Sequence, residues 1–284
     1  MTINLADGRV PFDVVKDLGL GRPYRLWCKT ITAGRPIVIL VHGAVVPLFI
    51  PDELYDPNNI NNEKYCSFYQ LDSLLYYDND FHYNVFTFEY TDMPILDQGS
   101  VNYHALTPYG NCLIDAIKIA KRRMAQEGTV GPVTVIAHSM GGLIARYAVQ
   151  ALGVEEVDKI ITLDTGHRGF GLAAIVDELF IDPFPGLIPP PTLCSVDAAP
   201  NSDFLNALNS GFAKCPELVS LAALDPIPVS FFAPEMPPIP ITVVDSQSSN
   251  MGQEVYPLHY NHVSIAQITG SDHGAYKIIK EILG

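Results

Sequence analysis

Val133-Thr134-Val135-Ile136-Ala137-His138-Ser139-Met140-Gly141-Gly142 changes character part-way along. Its first four residues are β-branched and read as a strand, while the Leu-, Ala- and Arg-rich stretch after Gly142 reads as a helix. Strand, tight turn and helix in direct succession force the apex residue, Ser139, into a strained backbone conformation. The residues two before and two after it must then be small enough for strand and helix to approach. Ala137 and Gly141 meet that demand. Such a turn lifts the serine hydroxyl out of the sheet edge, and the first amides of the helix, beginning with Met140, face any negative charge that develops there. The chemistry this suits is nucleophilic attack on an acyl carbon. Glycine-rich strand-to-helix turns also occur in α/β folds where the serine is only a turn residue, so the surrounding sequence has to decide.

The stretch resembles the nucleophile elbow of the α/β-hydrolase lipases and esterases, usually G-x-S-x-G, with Ala137 in place of the first glycine. Upstream, Ile37-Val38-Ile39-Leu40-Val41 is an unbroken apolar run of strand length, the mark of a strand covered on both faces in a parallel sheet. It ends in His42-Gly43 and so resembles the third strand of that family. There the amide after H-G supplies half of the oxyanion hole, which maps onto Ala44, and Met140 supplies the other half. His42 itself reads as a structural turn histidine.

At 284 residues, 48% hydrophobic and 17% charged, the chain is long enough for one α/β domain with insertions, spanning 1–284. The formal charge of -14 argues against a nucleic-acid partner and against electrostatic docking on anionic membranes. Contact with a lipid surface would have to be transient and apolar. The N-terminus lacks the basic and apolar regions of a signal peptide, so the expected location is cytoplasmic, or secreted if a signal has been removed. Cys28, Cys66, Cys112, Cys194 and Cys215 show no C-x-x-C spacing, which points to neither zinc nor a redox dithiol. Cys194 and Cys215 flank a loop-rich region and could be bridged in an oxidising compartment. No cofactor is implied, and the oligomeric state is not legible.

Residues 1–36 suggest an opening hairpin at the sheet edge. Residues 45–80, broken by prolines, suggest a long surface loop with short helices; Asp52, Asp56, Asn58 and Asn61 within it lack the spacing of a calcium loop. Strand 81–90, helix 111–126 and the elbow strand then complete a strand-helix-strand unit. Residues 159–163 form a further strand, ending in Asp164-Thr165-Gly166-His167-Arg168-Gly169, which resembles the family's L-x-T-P-H-x-G with Gly166 for proline. The apolar, Pro-rich residues 170–200 read as a lid-like insertion or, equally, as a packed helical one. Residues 200–209 resemble the P-x-S-x-F-L-x-x-L-N stretch of bacterial lipases and of esterases like GPI-inositol deacylase. Strands are expected at 228–233, 239–244 and 255–258, and a terminal amphipathic helix at 275–283, with Asp272 as its N-cap.

Together these features imply an α/β-hydrolase fold, a mostly parallel central sheet flanked by helices. They imply a serine esterase or lipase acting through an acyl-enzyme, on a small-molecule or lipid ester. A thioesterase or phospholipase would share the same triad, and a hydrolase-fold binding protein without catalysis is the alternative of another class. Ser139 is the nucleophile. For the acid, the resemblance ranks Glu235 first, because it follows the expected strand 228–233, where most α/β hydrolases carry the acid; Asp164, at a position used by some lipases, ranks second and Asp245 third. For the base, the family's order leaves His259, His262 and His273. His262 leads, because Asn261-His262-Val263-Ser264-Ile265 resembles the D-H-x-S-I stretch of the GPI-inositol deacylase-like esterases, with Asn261 in place of the Asp. Phe170, Leu172, Phe231 and Phe232 are expected to line an acyl site that prefers medium or long chains.

Overall fold

The computed structural model describes residues 10–17, 23–28, 31–43, 68, 70–78, 82–90, 105–153, 156–170, 196–228 and 240–284. An antiparallel hairpin, β1 (Val10–Asp17) and β2 (Pro23–Cys28), opens the described chain as expected. There follow β3 (Ile37–Val41), α1 (Leu71–Tyr77), β4 (Asn84–Glu89), α2 (Leu106–Gln126), β5 (Val133–His138), α3 (Met140–Leu152) and β6 (Val157–Leu163). Next come α4 (Asp203–Ser210), β7 (Glu217–Ala223), β8 (Ile227–Pro228), β9 (Pro240–Ile241), α5 (Ser246–Ser249), β10 (Glu254–Leu258) and α6 (Gly274–Leu283).

Eight strands form one sheet in the order β1-β2-β4-β3-β5-β6-β7-β10. From β4 to β10 every neighbouring pair is parallel, and β2 runs antiparallel to β4. Parallel strands need both faces covered, and their side chains divide accordingly. Ile39, Val41, Val135 and Ile160 pack with α2, α3 and α4, while Val38, Leu40, Ile136 and Ile161 pack with α1 and α6. All five residues of β3 are buried.

The strand order reverses at β3, which lies between β4 and β5, so a crevice opens beyond the carboxyl ends of β3 and β5. Register decides what reaches it. Val41 lies beside Ala137, His138 beside Leu163, Leu163 beside Leu221, and Ala223 beside Leu258. The residues that directly follow β5 and β6, Ser139 and Asp164, therefore emerge on one rim, together with the loop after β10.

Three expectations change. The strand that pairs with β6 is β7, at 217–223, rather than 228–233. Ile227 and Pro228 instead pair with Ile241 and Pro240 in a separate two-stranded ribbon. α2 begins at Leu106, ahead of the expected 111, and carries Pro108 in its first turn, where the missing N–H has no helical partner to lose. The N-cap of α6 is His273 rather than Asp272. The lid-like insertion lies largely outside the described residues.

Candidate active site

Ser139 occupies the junction of β5 and α3 with φ 53° and ψ -130°, a conformation costly for a residue with a side chain and held in place by its surroundings. Its N–H donates to Leu163 O at 3.0 Å, and its carbonyl accepts from Thr165 Oγ1 at 2.9 Å. The demand for small neighbours is met at Gly141, where a Cβ would lie 2.2 Å from His42 O and 2.7 Å from Val41 O. Backbone atoms cannot yield to such an overlap. The start of α3 thus lies directly against the end of β3.

From this turn the Ser139 hydroxyl donates to His262 Nε2 at 2.9 Å, and His262 Nδ1 donates to Asp164 Oδ2 at 2.7 Å. Asp164, its side chain only 2% exposed, is also fixed from the far side: its Oδ1 accepts from Ala223 N at 3.1 Å, and its own N–H donates to Leu221 O at 2.7 Å. The end of β7 therefore clamps the carboxylate that faces the imidazole. His262 is carried by a loop that Asn261 organises, its Oδ1 accepting from Val263 N at 3.0 Å and Ser264 N at 2.8 Å. Asn, in place of the Asp of the resembling stretch, keeps this turn-forming acceptor.

A hydroxyl, an imidazole and a carboxylate bonded in series can pass a proton from the hydroxyl to the imidazole as the oxygen attacks an electrophile. Beside them, the Met140 N–H is the first of α3 and so lacks a partner within the helix.

The family model described as PGAP1-like alpha/beta domain matches residues 34–176, just over half of the chain. The chain belongs to this family. Among solved structures, phospholipase PlaB from Legionella pneumophila superposes with a TM-score of 0.62 at 17% identity, over 87% of this chain and 59% of PlaB. This chain thus spans 59% of PlaB's length. The mature form of the Bacillus licheniformis lipase BlEst2 gives a TM-score of 0.54 at 13% identity, over 88% of this chain and 92% of the lipase. No curated protein matches the sequence. At such identities the likeness is one of fold, and the fold is that of the α/β hydrolases. The match to the PGAP1-like domain takes in His42-Gly43, Ser139 and Asp164; His262 lies beyond it.

The ranking of acids changes: the carboxylate that bonds His262 is Asp164, placed second, and Glu235, placed first, lies outside the described residues. The case for Glu235 depended on a strand at 228–233, and with β7 at 217–223 that case no longer holds. Asp245 is exposed and caps α5, accepting from Gln247 N at 2.7 Å. His273 stacks on Tyr260 at 4.4 Å and donates from Nε2 to Ser264 O at 3.2 Å. His259 is an exposed partner of Asp225 at 3.2 Å. His42 behaves as a turn histidine: its Nδ1 donates to Gly43 O at 2.6 Å, and its ring stacks on Tyr90 with centroids 4.1 Å apart. Phe170 is buried in the core cluster with Ala198 and Leu205. Ala44, Leu172, Phe231 and Phe232 lie outside the described residues.

Three features escaped the sequence reading. One is the Ala223 amide on Asp164, which no side-chain pattern could reveal. Another is a buried network behind the elbow, in which Arg146 Nη1 donates to His167 Nδ1 at 3.4 Å and Nη2 donates to Asn209 Oδ1 at 3.0 Å. His167 in turn meets Thr162 Oγ1 at 3.2 Å through Nε2. Burial, then the Arg146 charge, hold the His167 pKa well below its ordinary value, so this imidazole stays neutral. Cys215 is a free thiol beside Arg146; burial raises its pKa to about 11, against the opposing pull of the guanidinium. The third is His138, whose only signal in the sequence is that it directly precedes Ser139. Among the described residues no three His, Cys, Asp or Glu gather as metal ligands.

Proposed function

We propose that this chain is a serine hydrolase of carboxylic esters that works through an acyl-enzyme. The observation that carries this reading is the hydrogen-bonded series Ser139–His262–Asp164, with Ser139 and Asp164 at the carboxyl ends of the adjacent strands β5 and β6 and His262 on the loop after β10. Ser139 Oγ attacks the acyl carbon while His262 Nε2 takes its proton. The tetrahedral oxyanion accepts from the Met140 N–H and, by the family resemblance, from that of Ala44. Collapse expels the alkoxide, which takes the proton back from His262. Water then repeats the sequence on the acyl-enzyme, with His262 again as base. Asp164 keeps the imidazole in the tautomer that has Nε2 free to accept.

For the substrate we infer medium or long acyl chains, supported by the apolar, Pro-rich composition of residues 170–200; each methylene buried in such a site contributes about 0.8 kcal/mol. The likeness to PlaB, a phospholipase, favours phospholipid as the second reading. Hydrolysis rates for p-nitrophenyl esters from acetate to palmitate, with thioester and phospholipid controls, test both. Specificity constants that rise from acetate into the medium or long range support the proposal. A strict preference for acetate contradicts the chain-length inference, and turnover of phospholipid alone selects the second reading.

A further inference from the structure

We propose that His138 is a positioning residue that holds the base His262 in its working orientation by donating a hydrogen bond to the His262 main chain. This inference rests on the triad reading above. His138 Nε2 lies 2.8 Å from His262 O, and because a carbonyl can only accept, that nitrogen carries the hydrogen. The two imidazoles also pack against each other, centroids 4.9 Å apart and planes at 39°. His138 is 7% exposed, and its other side is confined by the turn after β3: a Cβ on Gly43 would lie 2.8 Å from His138 Nδ1 and 2.8 Å from Ser139 Cβ. Glycine at 43 thus makes the room in which this ring and the nucleophile sit side by side. Phe68 meets the ring edge-on at 6.4 Å.

The need for such an anchor follows from where His262 sits. Nucleophile and acid stand directly at the ends of β5 and β6, but the base lies on a loop past β10, four residues beyond the last paired one. The bonds to Asp164 and Ser139 engage the two ring nitrogens but do not hold the main chain that carries the ring. The Asn261 turn holds the residues around His262, and His138 holds its carbonyl, so ring and backbone are fixed together. Burial, followed by the nearby His262 and with His42 adding to it, pushes the His138 pKa down to about 3, against the raising effect of its bond to the carbonyl. His138 therefore remains a neutral donor when His262 gains a proton during the reaction.

The test compares H138F and H138L, which remove the donor, with H138Q, whose side-chain amide can supply an N–H near the position of Nε2. Two readouts are used: kcat and KM on p-nitrophenyl butyrate, and the far-downfield proton resonance of the His262–Asp164 hydrogen bond. Losing one neutral hydrogen bond should lower kcat about tenfold in the donorless variants with KM unchanged, and should broaden or abolish the resonance. H138Q should keep kcat within about threefold of wild type and retain the resonance. The proposal is overturned if a donorless variant matches wild type in both readouts, or if H138Q falls as far as H138F. It also falls if neither donorless variant folds, since the ring would then serve folding alone. A wild-type protein without ester turnover would sink the hydrolase reading, while the resonance in these same variants would still decide whether His138 anchors His262.

Discussion

Asp164 has each carboxylate oxygen committed, one to His262 and the other to the Ala223 amide, and a backbone at φ 45° that points the side chain back across the end of β7. Replacing it with Asn keeps the shape but presents an amide that can settle the imidazole in the wrong tautomer. We expect Asp164→Asn to lower kcat by about 10⁴, the effect of that exchange in a serine triad, and Glu235→Gln to leave it within a few-fold. Steady-state kinetics on the two variants check this, and the opposite pattern would return the acid to Glu235. Ser139 and His262, which the structure brings into hydrogen-bond contact, could each be read from local pattern, the one in A-H-S-M-G and the other in N-H-V-S-I. That Asp164 is the carboxylate bonded to His262 could not, because it depends on which segment lies beside β6, and that is a tertiary fact.

At the scale of elements, β3, β5 and α3 were legible because their chemistry is extreme: an unbroken apolar run in β3, a β-branched one in β5, then a turn with room only for small residues. β7, Glu217–Ala223, was missed because its sequence, E-L-V-S-L-A-A, is rich in helix-forming Leu and Ala. The aromatic V-S-F-F at 229–232 drew the strand assignment downstream. The approach of α3 to β3 gives a direct test. Gly141→Ala would place a methyl within 2.2 Å of a carbonyl oxygen, so strand and helix must part. We expect a loss of about 2 kcal/mol or more in urea denaturation, in the range for an overpacked buried site. A similar substitution at Gly131, where a Cβ would meet nothing within 4 Å, should be nearly neutral. Equal stabilities for the two variants would contradict the close approach.

Across the whole molecule, two buried histidines flank the elbow, His138 beside His262 and His167 beside Arg146 of α3, and both have pKa values below the ordinary 6.5. An unfolded chain binds their protons as pH falls through about 6.5, whereas the folded protein does not. Their contribution to stability is therefore complete above that pH and is lost as pH falls, for His138 down to about 3. The slope should approach about 1.4 kcal/mol per pH unit for each histidine. Urea titrations between about pH 6 and 5, below the unfolded histidine value and above that of most carboxylates, should show this decline, and H138Q should remove about half of the histidine share; an unchanged slope would contradict a neutral, buried His138. The sheet order, the register and the three bonded residues support the proposal that Ser139 is the nucleophile. The most direct measurement of that claim is mass spectrometry of the folded protein and of Ser139→Ala after exposure to a fluorophosphonate. The account predicts a single covalent adduct on Ser139 in the wild type and none in the variant. A folded wild type that stays unlabelled, or an adduct that persists in Ser139→Ala, would contradict it.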